Sequence, residues 1–129
     1  GDTLFGAGCG RLHDGTMEQL FRSLTRLKAL PPATLNYCAH EYTIANLNFA
    51  LQVEPDNPAT RQRMSETQAI RKRGLPSLPS TLAVELQTNP FLRCHTPQVI
   101  EAVEKHTRQP LQSEFEVFRA LRLWKNNVA

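Results

Sequence analysis

The sequence predicts a short α/β segment, residues 1–43, followed by an all-α part, residues 44–129, so that the chain is mostly helical. Three observations carry this. A helical apolar period runs through residues 16–30, and a strand-like stretch, Thr34 to Cys38, follows it across Pro31-Pro32. A run of glycines, Gly6-Ala7-Gly8-Cys9-Gly10, precedes that helix, and loop, helix and strand together make half of an α/β unit. After His40 the apolar residues recur only at helical spacing.

Thr16 and Gln19 have the spacing of a capping box, and Met17, Leu20, Leu24 and Leu27 fall on one face of the helix they open. The strand from Thr34 to Cys38 needs a partner before that helix. Only Thr3-Leu4-Phe5 is available, which is short, and the strand leading into Asp2 is expected to lie outside this sequence. Thr43 is placed to cap a helix carrying Ile44, Leu47 and Leu51 on one side. Asn57-Pro58 is an N-cap and first-turn pair for a helix ending at Arg71-Lys72-Arg73, with Gly74 just past its end. The basic triplet there complements the helix dipole. Leu75 to Ser80, with Pro76 and Pro79, is a stiff connector. Ser80 or Thr81 starts a short helix with Leu82 and Leu86, stopped by Asn89-Pro90. Thr96-Pro97 opens a helix with Ile100 and Val103, and Ser113 with Glu116 forms a second capping-box signature. The last helix carries Val117, Leu121 and Trp124 on one face.

Composition narrows the function classes. A chain of 129 residues suffices for one domain, or a small domain and a piece of another. No stretch of about 18 apolar residues occurs, so no membrane span is expected. The opening residues lack the basic and apolar regions of a signal peptide. Cys9, Cys38 and Cys94 are odd in number and lack C-x-x-C spacing, which argues against a disulfide scaffold or a cysteine zinc site and fits a reducing, cytoplasmic setting. The net charge of +3 is too mild to point to nucleic acid, and a small anionic ligand accounts for a local positive patch as well.

Four places could do chemistry. His40 sits between a strand and a helix, where α/β folds build sites, with Glu41 and Tyr42 beside it; the alternative is a structural or exposed histidine. Arg11 and His13 follow the glycine-rich loop, which lets backbone approach a ligand closely; the alternative is a flexible turn. Asp2 alone reads as a solvated carboxylate. Arg119, Arg122 and Lys125 lie along one side of the last helix. They form either a solvated face or a cationic clamp for a small carboxylate, with arginine suited to bidentate contact and lysine acting as a point charge. His95 and His106 read as surface residues, and Phe115, Phe118 and Trp124 as core.

Six ordered blocks then carry a resemblance. They are Gly1-Asp2-Thr3-Leu4-Phe5, Gly8-Cys9-Gly10-Arg11, Tyr37-Cys38-Ala39-His40-Glu41-Tyr42-Thr43, Val53-Glu54-Pro55-Asp56-Asn57, Leu78-Pro79-Ser80-Thr81-Leu82 and Asn89-Pro90-Phe91-Leu92-Arg93. Together they resemble glyoxalase II, the hydroxyacylglutathione hydrolases of the metallo-β-lactamase superfamily. The resemblance implies the end of an αββα sandwich over residues 1–43 and a helical glutathione-binding domain over 44–129. It implies hydrolysis of a glutathione thioester, S-D-lactoylglutathione, to glutathione and D-lactate, as in methylglyoxal detoxification. Two divalent metal ions are implied, zinc first, with iron and manganese also suited to the ligands. Asp2 would bridge the metals and His40 would ligate the second. Arg11, His13, His40, Tyr42, Arg122 and Lys125 would contact the substrate, with Arg122 and Lys125 holding its glycine carboxylate.

There are departures. His13 stands where the family usually has tyrosine, Ala39 replaces a usual glycine, and the tail Lys125 to Ala129 is atypical. The family's Thr-His-x-His-x-Asp-His motif is absent. The resemblance therefore implies either a longer enzyme, monomeric when complete, or pairing with a second polypeptide that supplies the missing N-terminal half. The chain alone is expected to be nearly inactive. The competing reading is a non-catalytic helical module that binds glutathione or a partner chain. No nucleic acid or membrane partner is expected.

Overall fold

The computed structural model describes residues 4–5, 8–9, 16–36, 43–75 and 80–127. Two short strands, β1 (Leu4–Phe5) and β2 (Gly8–Cys9), pair antiparallel as a hairpin. Helix α1 (Met17–Lys28) and strand β3 (Leu35–Asn36) follow. Helices α2 (Thr43–Val53) and α3 (Pro58–Lys72) come next. Strand β4 (Ser80–Thr81) pairs antiparallel with β3 and leads directly into α4 (Leu82–Thr88). A 3-10 turn (Pro90–Leu92), α5 (Pro97–Thr107) and α6 (Glu114–Asn126) complete the described chain. The fold is mostly helical, as expected.

The strand pairing differs from expectation. Leu4–Phe5 was expected to partner the strand after α1, but it pairs with Gly8–Cys9, inside the glycine run read as loop. Leu35–Asn36 finds its partner in Ser80–Thr81, beyond two helices. Such a pairing is set by where α2 to α4 pack, and a local pattern cannot show it. Close approach decides the glycine at β2: a Cβ on Gly8 would lie 2.7 Å from the Asn46 side chain on α2.

Helix ends follow the sequence closely. Thr16 and Gln19 form the full reciprocal capping box of α1. The Asn57 side chain accepts from the Ala59 and Thr60 amides, and Gly74 takes the left-handed φ of 74° just past α3. Two ends differ slightly. Thr43 lies inside α2 as its first residue and is buried. Glu116 caps α6 by accepting from the Gln112 amide, while the Ser113 hydroxyl accepts from Glu116, so the box is displaced by one residue.

Helix α2 is apolar on two sides and packs on two surfaces. Ile44, Leu47 and Leu51 face Met64 of α3, as the periodicity predicts. Phe49 and Val53 enter the main core with Leu24, Phe91, Leu92, Val99, Val103, Phe118 and Leu121. This second face was missed because a helix buried on both sides shows no single stripe. Phe21 of α1 meets Phe118 at 5.3 Å and Phe115 at 5.5 Å between ring centroids, which docks α1 on α6. Among the described residues, no helix is long and apolar enough to cross a membrane.

Polar pairs tie the helices to one another. Arg93 grips Glu54 with Nε on Oε1 at 2.8 Å and Nη2 on Oε2 at 3.0 Å, joining the end of α2 to the segment after the 3-10 turn. Arg63 of α3 reaches Glu85 of α4 at 2.7 Å in a buried pair, and its other amino group donates to Thr88. Among the described residues, one buried side-chain atom, the Thr60 hydroxyl, has no hydrogen-bond partner.

Two stability predictions follow from these buried groups. An unpaired buried hydroxyl costs about 1 kcal/mol or more, so Thr60→Val is expected to stabilise the chain by about 1 kcal/mol in denaturant unfolding. A loss of stability would mean that the hydroxyl is bonded in solution. The second concerns Cys9, whose thiol burial raises to about 11 from 9.0, with Arg122 opposing the rise. The unfolded chain then loses this proton first as pH increases, so the stabilisation is full below about pH 9 and is lost towards about pH 11. The stability advantage of the parent chain over Cys9→Ala should shrink across that window, and an advantage independent of pH would contradict this.

Candidate functional site

Of the residues singled out by sequence, Asp2, Arg11, His13, His40 and Tyr42 lie outside the described residues. Arg122 and Lys125 lie inside them, one turn apart near the C-terminal end of α6. Cations suit that end of a helix, where unpaired carbonyls leave a partial negative charge.

An aromatic floor supports both cations. Phe49 of α2 and Phe91 of the 3-10 turn stack with centroids 6.1 Å apart and planes 21° from parallel. The Arg122 guanidinium lies over Phe91 at 5.3 Å from its centroid, and the Lys125 ammonium over Phe49 at 5.8 Å. Each contact adds about 0.5–2 kcal/mol, more where water is excluded. Phe118 and Trp124 meet the same two rings edge-on, so the floor is braced by α6 itself.

Arg122 is buried, only 3% exposed, while Arg119 on the preceding turn is exposed. The three basic residues therefore do not share one solvated face. Arg122 Nη1 donates to the Cys9 carbonyl at 2.9 Å, linking α6 to β2. Its Nε and Nη2 both donate to Asn126 Oδ1, at 3.1 and 2.9 Å. That Nε/Nη2 edge is the one a carboxylate takes in a bidentate contact. Asn126, an exposed residue on the last turn, thus sits where an incoming carboxylate would bind.

Sequence reasoning missed as parts of this arrangement Asn126, the Cys9 carbonyl, and Asn89, whose Oδ1 accepts from the Phe91 amide. Asn89-Pro90 carried a signal, but it reads equally as a plain helix stop. His106 is exposed, as expected, and its ring stacks on that of Trp124 at 4.0 Å and 7°, while Trp124 is partly buried and packs against the core. Trp124, His106, Lys105 and Arg93 help line a separate cavity of about 730 Å³ beside the α2–α3 turn; neither Arg122 nor Lys125 lines it. Among the described residues, no three His, Cys, Asp or Glu side chains cluster as a metal site.

Comparison with known proteins agrees with the resemblance in the sequence. Residues 41–128 match the family model described as hydroxyacylglutathione hydrolase C-terminus. A hydroxyacylglutathione hydrolase of Alkalilimnicola ehrlichii is 56% identical over 98% of this chain and 49% of its own length. One from Aeromonas hydrophila is 53% identical over 98% of this chain and 50% of its own length. One from Nitrosomonas eutropha is 49% identical over 98% of this chain and 50% of its own length. The chain spans about half the length of the curated relatives it matches. A family model that covers α2 to α6, including the floor of Phe49 and Phe91 and both cations above it, settles the relationship: the chain belongs to the hydroxyacylglutathione hydrolase C-terminus family.

Proposed function

We propose that this chain is the glutathione-recognising part of a hydroxyacylglutathione hydrolase, acting on S-D-lactoylglutathione or a close 2-hydroxyacyl thioester. The observation that carries the reading is the pair Arg122 and Lys125, held over the Phe49/Phe91 stack within the family segment. In this reading the glycine carboxylate of glutathione displaces Asn126 from the Nε/Nη2 edge of Arg122, and Lys125 supplies a second positive charge. Binding a remote, unreactive carboxylate anchors the thioester so that its carbonyl is presented at one place.

The division of labour we propose puts residues 1–43 at the end of a metallo-β-lactamase sandwich and residues 44–129 in the helical domain. Asp2 and His40 would be metal ligands, and Arg11, His13, His40 and Tyr42 would complete the substrate contacts. A carboxylate and an imidazole are donors that zinc, iron and manganese accept. Two such side chains are fewer than even one catalytic zinc takes from its protein, so they do not by themselves make a binuclear centre. When bound, such metals supply a hydroxide at neutral pH and polarise a carbonyl. What this chain's described residues contribute is binding and orientation.

The test is steady-state hydrolysis of S-D-lactoylglutathione by the full-length protein. Arg122→Ala removes a charge-assisted contact to a remote group, so KM is expected to rise about tenfold with a smaller change in kcat. A large loss of kcat at unchanged KM would contradict the carboxylate clamp.

A further inference from the structure

We propose that Asn89 is a positioning residue for the Arg122 guanidinium, acting through β2 and Phe91 without touching a ligand. The inference rests on the reading that Arg122 and Lys125 bind the glutathione carboxylate.

Among the described residues, the groups that hold the guanidinium include the Cys9 carbonyl that accepts from Nη1 and the Phe91 ring beneath it. Both are set by Asn89, which is completely buried. Its Nδ2 donates at 2.9 Å to the Gly8 carbonyl, the one immediately before that of Cys9 in β2. Its Oδ1 accepts at 3.0 Å from the backbone amide of Phe91 itself. One planar carboxamide therefore fixes the strand on one side of Arg122 and the ring on the other. The role needs a donor and an acceptor on a short side chain, which asparagine has and aspartate lacks when ionised.

The amide is held in its orientation in turn. Asn89 Nδ2 also donates to Glu85 Oε1 at 3.1 Å, so its nitrogen faces the carboxylate and β2. Glu85 Oε2 is gripped by Arg63 at 2.7 Å and by the Ser80 hydroxyl at 2.6 Å. This network is buried and ordered from both ends, the condition under which a supporting shell holds a binding group to a fraction of an ångström. A merely structural Asn89 would lower stability but leave the two residues energetically independent in binding.

A double-mutant cycle distinguishes these cases. Glutathione binding to the full chain is measured by calorimetry for the parent, Asn89→Ala, Arg122→Ala, the double variant and Lys125→Ala. Asn89→Ala is expected to raise Kd roughly fivefold, and to raise it no further once Arg122 is gone. A folded Asn89→Ala with unchanged Kd, or a double variant showing the product of the two single effects, overturns the proposal. If Asn89→Ala does not fold, Asn89→Ser takes its place, because its hydroxyl keeps a cap acceptor for the Phe91 amide and removes the carboxamide that donates to Gly8. It too should weaken binding only while Arg122 is present, and an unchanged Kd overturns the proposal. If Arg122→Ala and Lys125→Ala both leave Kd unchanged, the clamp reading fails first and the proposal falls with it.

Discussion

Strand β2, helix α4 and the 3-10 turn meet at one buried carboxamide, that of Asn89. The constraint behind this is general: a polar group taken out of water must find a partner, and an unmet one costs more than the bond itself contributes. Gly8, Glu85 and Phe91 meet that requirement through Asn89, and Arg63 and Ser80 meet it for Glu85. Removing the desolvated pair Arg63–Glu85 in favour of apolar residues need not weaken the fold. What the network supplies is a single arrangement of β2 against α4 and the turn, and the position of Arg122 depends on that arrangement.

The same geometry explains why a cation can be both buried and useful. Among the described residues, Arg122 lies between a backbone carbonyl and an aromatic face, and its Nε/Nη2 edge meets an exposed residue, Asn126. An arginine fixed on two sides loses little further freedom on binding a carboxylate. Lys125 is half-buried and sits farther from its ring than Arg122 does, which suits a point charge. In the proposed reading, fold and recognition share Phe49 and Phe91, which are core and floor at once, with Phe118 bracing them.

Much of this was legible in the sequence where the signal is local. Caps and stops such as Thr16, Asn57-Pro58, Gly74 and Thr96-Pro97 fix helix ends within a residue, because they act on the nearest backbone groups. The pairing of Leu35–Asn36 with Ser80–Thr81 was not legible, because it spans two helices. Nor was the second buried face of α2, or the burial of Arg122, whose partner Cys9 lies 113 residues away in the chain. Spacing along α6 pointed to Arg122 and Lys125, yet it also suggested a solvated stripe with Arg119, which burial of Arg122 overturns. Asn89 was visible as a helix stop and within a family block, but not as a bridge, because its bond to Gly8 crosses 81 residues.

The claim that α6 recognises a carboxylate is tested most directly by titrating the isotope-labelled chain with glutathione and with its glycine-amide analogue, following the resonances of α6. Saturable shifts at Arg122, Lys125 and Asn126 are expected with glutathione, and a large loss of affinity when the glycine carboxylate is blocked. Equal affinity for the two compounds, or shifts confined to the cavity beside the α2–α3 turn, would contradict it.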